Sequence, residues 1–201
     1  VNFAPGVARN PLAANAPYSG VLNDMGTRDT DIKSDSMRLL AGLKYSVAGW
    51  DTESAIGASE NEVTSKSLNG LSKAGVSGAF GVGIGPFPPI PTSTSSTYNL
   101  DNPAANSQAV RESMRINTDR VAKSELQFVD TKATTEIGML PGGAIGFAVG
   151  AEYRNEKLKD SPDPASLAGD VLGQGTTATD GSRHNFAIYG ELALPLTKQV
   201  E

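Results

Sequence analysis

Residues 143–160 read GAIGFAVGAEYRNEKLKD, and their alternation is the strongest constraint on what this chain can become. Ile145, Phe147, Val149, Ala151 and Tyr153 fall on one parity, and Gly146, Ala148, Gly150, Glu152 and Arg154 on the other. A period of two predicts a β-strand. One of its faces is wholly apolar, while the other begins with almost no side chain and ends in two opposite charges. Such a strand fits either a sandwich, with its apolar face on a second sheet, or a membrane barrel, with lipid on that face and a polar interior behind it.

Four more segments follow the same rule. Residues 37–47 place Leu39, Ala41, Leu43 and Tyr45 opposite Arg38, Gly42 and Lys44, and residues 52–63 give a weaker version around Ile56 and Ala58. Residues 125–140 set Val129, Ala133, Ile137 and Met139 against Asp130, Lys132, Thr134 and Glu136. Residues 184–196 set Phe186, Ile188, Leu192 and Leu194 against Asn185, Tyr189 and Glu191. The links between these strands alternate in length. AGWD (48–51) and LPGG (140–143) are tight turns, whereas 64–123 and 161–182 are long connections. Unstructured loops of that length are uncommon within a compact domain, but outer-membrane barrels pair short periplasmic turns with long extracellular loops.

Within the long connections, 102–116 predicts a short helix capped by Asn102, with Pro103 in its first turn and Val110 and Met114 on one stripe. Residues 162–170 predict a single turn or short helix, 81–97 an extended or mobile Gly/Pro/Ser/Thr-rich segment, and 1–25 mostly loop.

Composition agrees with a thin-cored β-protein. Apolar residues make up 38% of the chain and there are 22 glycines. No apolar run approaches the roughly eighteen residues that a spanning helix needs, whereas barrel strands need only about nine to eleven. The net charge of −5 and the lack of a Lys/Arg stripe argue against nucleic acid as a partner. Without cysteine there are no disulfides, thiolate metal sites or Cys nucleophiles. Gly81, Gly83 and Gly85 precede prolines instead of a helix, so they lack the geometry that cradles a phosphate. His184 is the lone histidine and makes a poor metal site or base by itself. Charge pairing accounts for Glu136, Glu152 and Glu191 beside Lys132 and Arg154 without invoking chemistry. The expectation is therefore no catalytic, cofactor-binding or metal-ligating set. Trp50 reads as an interfacial anchor.

Several of these stretches resemble the barrel of TonB-dependent receptors: the LPGG turn (140–143), GAEYR (150–154), GDVLGQG (169–175), DGSR (180–183) and ELALPL (191–196). DSMRLLAGLKYSVAGWD (35–51) and TYNLDNPA (97–104) are similar to upstream parts of such a barrel. The resemblance implies an all-β fold, with residues 1–201 forming about five strands of a 22-stranded transmembrane antiparallel barrel with long extracellular loops. It also implies that the plug domain and the C-terminal strands lie elsewhere in a longer polypeptide.

The implied function is TonB-coupled import of a scarce ligand, such as a siderophore, cobalamin or saccharide, through the outer membrane of a Gram-negative bacterium. The implied partners are outer-membrane lipid, the remaining barrel and plug, and TonB. Lys132, Glu136, Gly146, Gly150, Glu152, Arg154, Tyr189 and Glu191 would then face the lumen, the glycines lying against the plug. Leu39, Leu43, Val129, Ile137, Ile145, Phe147, Val149, Ile188, Leu192 and Leu194 would face lipid. The residues leave open a passive porin-like barrel, a soluble secreted β-rich binding module and an outer-membrane enzyme.

Overall fold

The computed structural model describes residues 2–3, 16–17, 22–80 and 97–197. Five long strands, β3 (Thr30–Val47), β4 (Trp50–Leu71), β5 (Arg115–Leu140), β6 (Gly143–Pro162) and β7 (Thr179–Ala193), form one antiparallel sheet in sequential order. Two short strands, β1 (Asn2–Phe3) and β2 (Ala16–Pro17), pair with each other near the start of the chain. The helices are α1 (Lys73–Phe80), α2 (Gln108–Met114) and the single turn α3 (Pro164–Leu167).

Each tight turn has its backbone reason. Between β3 and β4, Ala48 and Gly49 both have positive φ, 49° and 80°. That pair of angles matches the hairpin turn whose twist suits the flanking strands. Between β5 and β6, Pro141 presets the first turn position, and a Cβ on Gly142 would lie 2.3 Å from the Pro195 carbonyl oxygen.

The chain divides into two compact units. The first comprises residues 1–33, 64–121 and 161–178 and has a hydrophobic core. Met25, Val76, Ala79, Phe80, Tyr98 and Met114 are buried together, with Leu22, Leu71, Leu100 and Val110 packed around them. The Phe80 and Tyr98 rings lie 5.1 Å apart. Tyr98 donates its phenolic proton to the Asp24 carboxylate, and Asn106 donates to Asp24 and to the carbonyls of Asn99 and Pro103. Helices α1 and α2 approach closely because residue 75 is glycine: a Cβ there would lie 2.1 Å from the Ser113 carbonyl oxygen. Asp170 ties the 161–178 segment to the start of α1 by accepting from Ser72 Oγ and the Ala74 amide, each at 2.8 Å.

The second unit comprises residues 34–63, 122–160 and 179–201 and is sheet. Its buried residues, among those described, are Gly57 and Gly150. No second layer covers either face of its strands among the described residues, and both edge strands, β3 and β7, are exposed along their whole length.

The structure corrects several expectations. Strands β3 to β6 run longer than 37–47, 52–63, 125–140 and 143–160 suggest, while the strand expected at 184–196 begins earlier, at Thr179, and stops at Ala193. Their extensions, such as TDIKSD, TSKSLNG and RINTDRVAKS, are largely polar on both faces, so they carry no hydrophobic period. The long connections are correspondingly shorter, and α1 was not foreseen. The 102–116 segment splits into a 3₁₀ turn over Pro103–Ala105 and α2. The α2 cap is Ser107, whose Oγ accepts from the Val110 amide, while Asn102 makes no side-chain cap bond. Residues 81–96 of the Gly/Pro-rich segment lie outside the described residues. The single turn within 162–170 forms as expected, with Asp163 accepting from the Ala165 and Ser166 amides.

In the first unit the buried Tyr98 reaches the half-buried Asp24 carboxylate with its hydroxyl. Tyr98→Phe is expected to cost about 1.5–3 kcal/mol. Amide hydrogen exchange should register this as reduced protection in both α1 and α2.

Candidate functional site

The functional candidates are the two faces of the sheet in the second unit. Lys44 and Lys132 both bridge to Glu53, at 3.5 and 3.1 Å, so these three charges share one face. Trp50 stands on the opposite parity of β4, and its ring meets that of Phe147 edge-on at 5.9 Å. That contact puts Phe147 on the other face, together with Ile145, Val149, Ala151 and Tyr153. The β6–β7 ladder carries the division onward. Phe147 pairs with Leu192, Ala151 with Ile188 and Tyr153 with Phe186, whereas Ala148 pairs with Glu191 and Gly150 with Tyr189.

Lys132, Glu136, Gly146, Gly150, Glu152, Arg154, Tyr189 and Glu191 therefore share the charged face. Leu39, Leu43, Val129, Ile137, Ile145, Phe147, Val149, Ile188 and Leu192 share the apolar one. Leu194 lies one residue beyond β7 and is exposed.

The apolar face is a belt with sharp limits. It occupies residues 37–47 of β3, 50–58 of β4, 129–139 of β5 and 145–153 of β6, nine to eleven residues in each, and 186–192 of β7. Most of its large side chains are exposed, up to 74% for Met139, while Trp50, Ile145 and Phe147 are half-buried. Three hydroxyls inside the belt are matched to each other or to the backbone: Ser54 Oγ bonds Thr131 Oγ1, and Thr135 donates to the Gly49 carbonyl, both at 2.8 Å. At the end away from the two hairpins the belt stops abruptly at Asp35, Glu60, Glu125, Asn155 and His184. Just past that border Lys123 bridges Glu60 at 3.0 Å and Glu125 at 3.2 Å. The hydrogen bonds that the Lys123 ammonium donates to these two carboxylates hold it above the usual lysine range. Aromatic rings stand at both borders, with Trp50 beside the β3–β4 hairpin and Tyr153 at the far limit. The Tyr153 hydroxyl bonds His184 Nδ1 at 2.9 Å, and the two rings stack. His184 is thus occupied as a neighbour to tyrosine.

On the charged face the ion pairs are local. Arg154 binds Glu152 at 2.7 Å, and Arg183 binds Glu156 across the β6–β7 ladder. Two glycines there are roofed by aromatics of adjacent strands. A Cβ on Gly57 would lie 2.4 Å from the Phe128 ring, and one on Gly150 would lie 2.3 Å from that of Tyr189. The space over Gly150, expected to admit a plug, is filled from the sheet itself, and glycine at that position is explained by Tyr189. Sequence reasoning missed both pairings because cross-strand neighbours depend on register, which alternation alone leaves undetermined. Among the described residues no group of three or more His, Cys, Asp or Glu could hold a metal ion.

Gly57→Ala is expected to destabilise the folded sheet by about 1–3 kcal/mol through overpacking against Phe128. In a Phe128→Ala background the same change should cost much less, as read from a double-mutant cycle of denaturant unfolding. Comparison with protein-family models, with curated proteins and with solved structures finds no match.

Proposed function

We propose that this chain forms part of the barrel wall of a TonB-dependent receptor in the outer membrane of a Gram-negative bacterium. The parent receptor would import a scarce ligand by energy-coupled transport. The observation that carries the reading is the apolar belt on a sheet that has no covering layer among the described residues. A soluble sheet buries its apolar face against a second layer. Here much of that face is exposed, and its extent along β3 to β6 matches the roughly nine to eleven residues with which a tilted strand crosses a bilayer. Self-paired hydroxyls inside the belt and aromatics at its borders suit lipid contact in the same way.

The belt by itself would suit a passive porin-like barrel equally well. The LPGG, GAEYR, GDVLGQG and DGSR stretches favour the receptor. The open edges of β3 and β7 support completion of the wall by further strands, since unpaired backbone groups in hydrocarbon cost several kcal/mol each. In this reading the hairpins at 48–49 and 141–142 are periplasmic, the longer connections are extracellular, and the charged face looks into a lumen that holds the plug.

Val149 lies at the centre of the β6 belt. Val149→Arg is expected to cost about 2–4 kcal/mol in a bilayer, read from unfolding of the intact polypeptide in lipid vesicles, whereas Glu152→Arg on the opposite face should cost far less. Equal costs would remove the lipid assignment. Receptor and porin separate by co-purification with the periplasmic domain of TonB, which the receptor reading requires and a porin would not show.

A further inference from the structure

In the first unit, the connection after β6 is tied to β5 by the Asp163 amide on the Asp119 carbonyl, and to β4 by the Leu172 amide on the Leu71 carbonyl. Beside these ties lies a cleft of about 430 Å³, to which β4 contributes Ser65 and Ser67, β5 Thr118 and Arg120, and the connection Gln174 and Thr176. That volume falls within the usual range for small-molecule sites. Ser67 is bonded to Thr30, and the Asp163 carboxylate is taken up by the first amides of α3. The side chains of Ser65, Thr118, Gln174 and Thr176, in contrast, have no hydrogen-bond partner among the described residues. Hydroxyls and carboxamides both donate and accept, so unused capacity of both kinds is gathered at one cleft.

The glycines of the connection add a second observation. Gly169 and Gly173 have positive φ, 72° and 77°, which accounts for glycine there. Gly175 does not, and a Cβ on it would meet nothing within 4 Å. Neither conformation nor packing requires glycine at 175, yet it leaves bare backbone beside the cleft, where a ligand can approach closely. Two acidic residues, Asp119 and Asp163, against one basic, Arg120, disfavour an anion, and no aromatic residue lines the cleft to stack on a flat ring.

We propose that this cleft binds one or two rings of a neutral saccharide. Ring hydroxyls, which donate and accept like the lining groups, would pair with Ser65, Thr118, Gln174 and Thr176. The inference rests on the receptor reading, in which this connection is extracellular, and narrows the imported ligand to that class.

The test is isothermal titration calorimetry on the intact polypeptide in an amine-oxide detergent, which carries no sugar. The probes are maltose, cellobiose, lactose and trehalose, with digalacturonate as an anionic disaccharide. The expected result is one saturable site for at least one neutral disaccharide, with digalacturonate roughly tenfold weaker. Thr118→Val, which deletes one hydroxyl at nearly constant shape, should weaken binding about fivefold, the scale of one hydrogen bond. Gly175→Leu, at a position with open space and ordinary φ, should block the cleft without disturbing the fold, and circular dichroism would check both variants. No binding of any neutral disaccharide, digalacturonate binding as tightly, or unchanged affinity in both variants would overturn the proposal. The two readings fail separately: TonB capture without sugar binding removes this inference alone, and sugar binding without TonB capture removes the receptor.

Discussion

A β-sheet satisfies its backbone through its neighbours but cannot dispose of its own apolar face. In the second unit of this protein that obligation is unmet from within. The described residues contain no helix or second sheet over the belt, and the two buried residues are glycines lying under aromatic rings. Every exposed Leu, Ile, Val and Phe along 37–47, 129–139, 145–153 and 186–192 counts against stability in water at about 25 cal/mol per Å² of apolar area left uncovered. The solvent on that side is therefore the variable on which the rest of the fold turns, and hydrocarbon removes the penalty without any further layer of protein.

The opposite face follows a different logic. Its charges are paired at short range, with Glu53 shared between two lysines and Glu152 and Glu156 each matched to an arginine. Exposed pairs of this kind contribute little to stability individually. These pairs offset part of the charge on a face that stays hydrophilic. The first unit differs again, because it owns a conventional core. Phe80, Tyr98 and Met114 bury what the belt exposes, and the Asp24, Asn106 and Asp170 bonds hold its connections in place. The connections seen there are packed structures with fixed geometry.

Much of this was legible in the sequence wherever hydrophobicity alternates. Ile145 to Tyr153 announce both a strand and its facing, and AGWD and LPGG announce hairpins, since positive-φ and proline-led turns leave residue signatures. Legibility ends where both faces turn polar. The outer part of β5 reads RINTDRVAKS, with no period to detect, and its pairing is set by the ladder it extends. Helix α1, KAGVSGAF, contains two glycines that lower its intrinsic helix propensity. It is helical because α2 packs at Gly75 and because Ser72 and Asp170 satisfy its first amides, all contacts from distant parts of the chain. The roofing of Gly57 and Gly150 was invisible for the same reason.

The central claim is that one face of the sheet meets hydrocarbon between two defined borders. The most direct measurement is a spin-label scan of residues 144–160, one cysteine at a time, in the intact polypeptide reconstituted in lipid, comparing collisions with oxygen and with a water-soluble nickel chelate. The account predicts oxygen maxima at 145, 147, 149, 151 and 153 and low oxygen access at the intervening positions. Nickel access on the same parity should then rise from 155 onward. Nickel access as high at 149 as at 157 would contradict it.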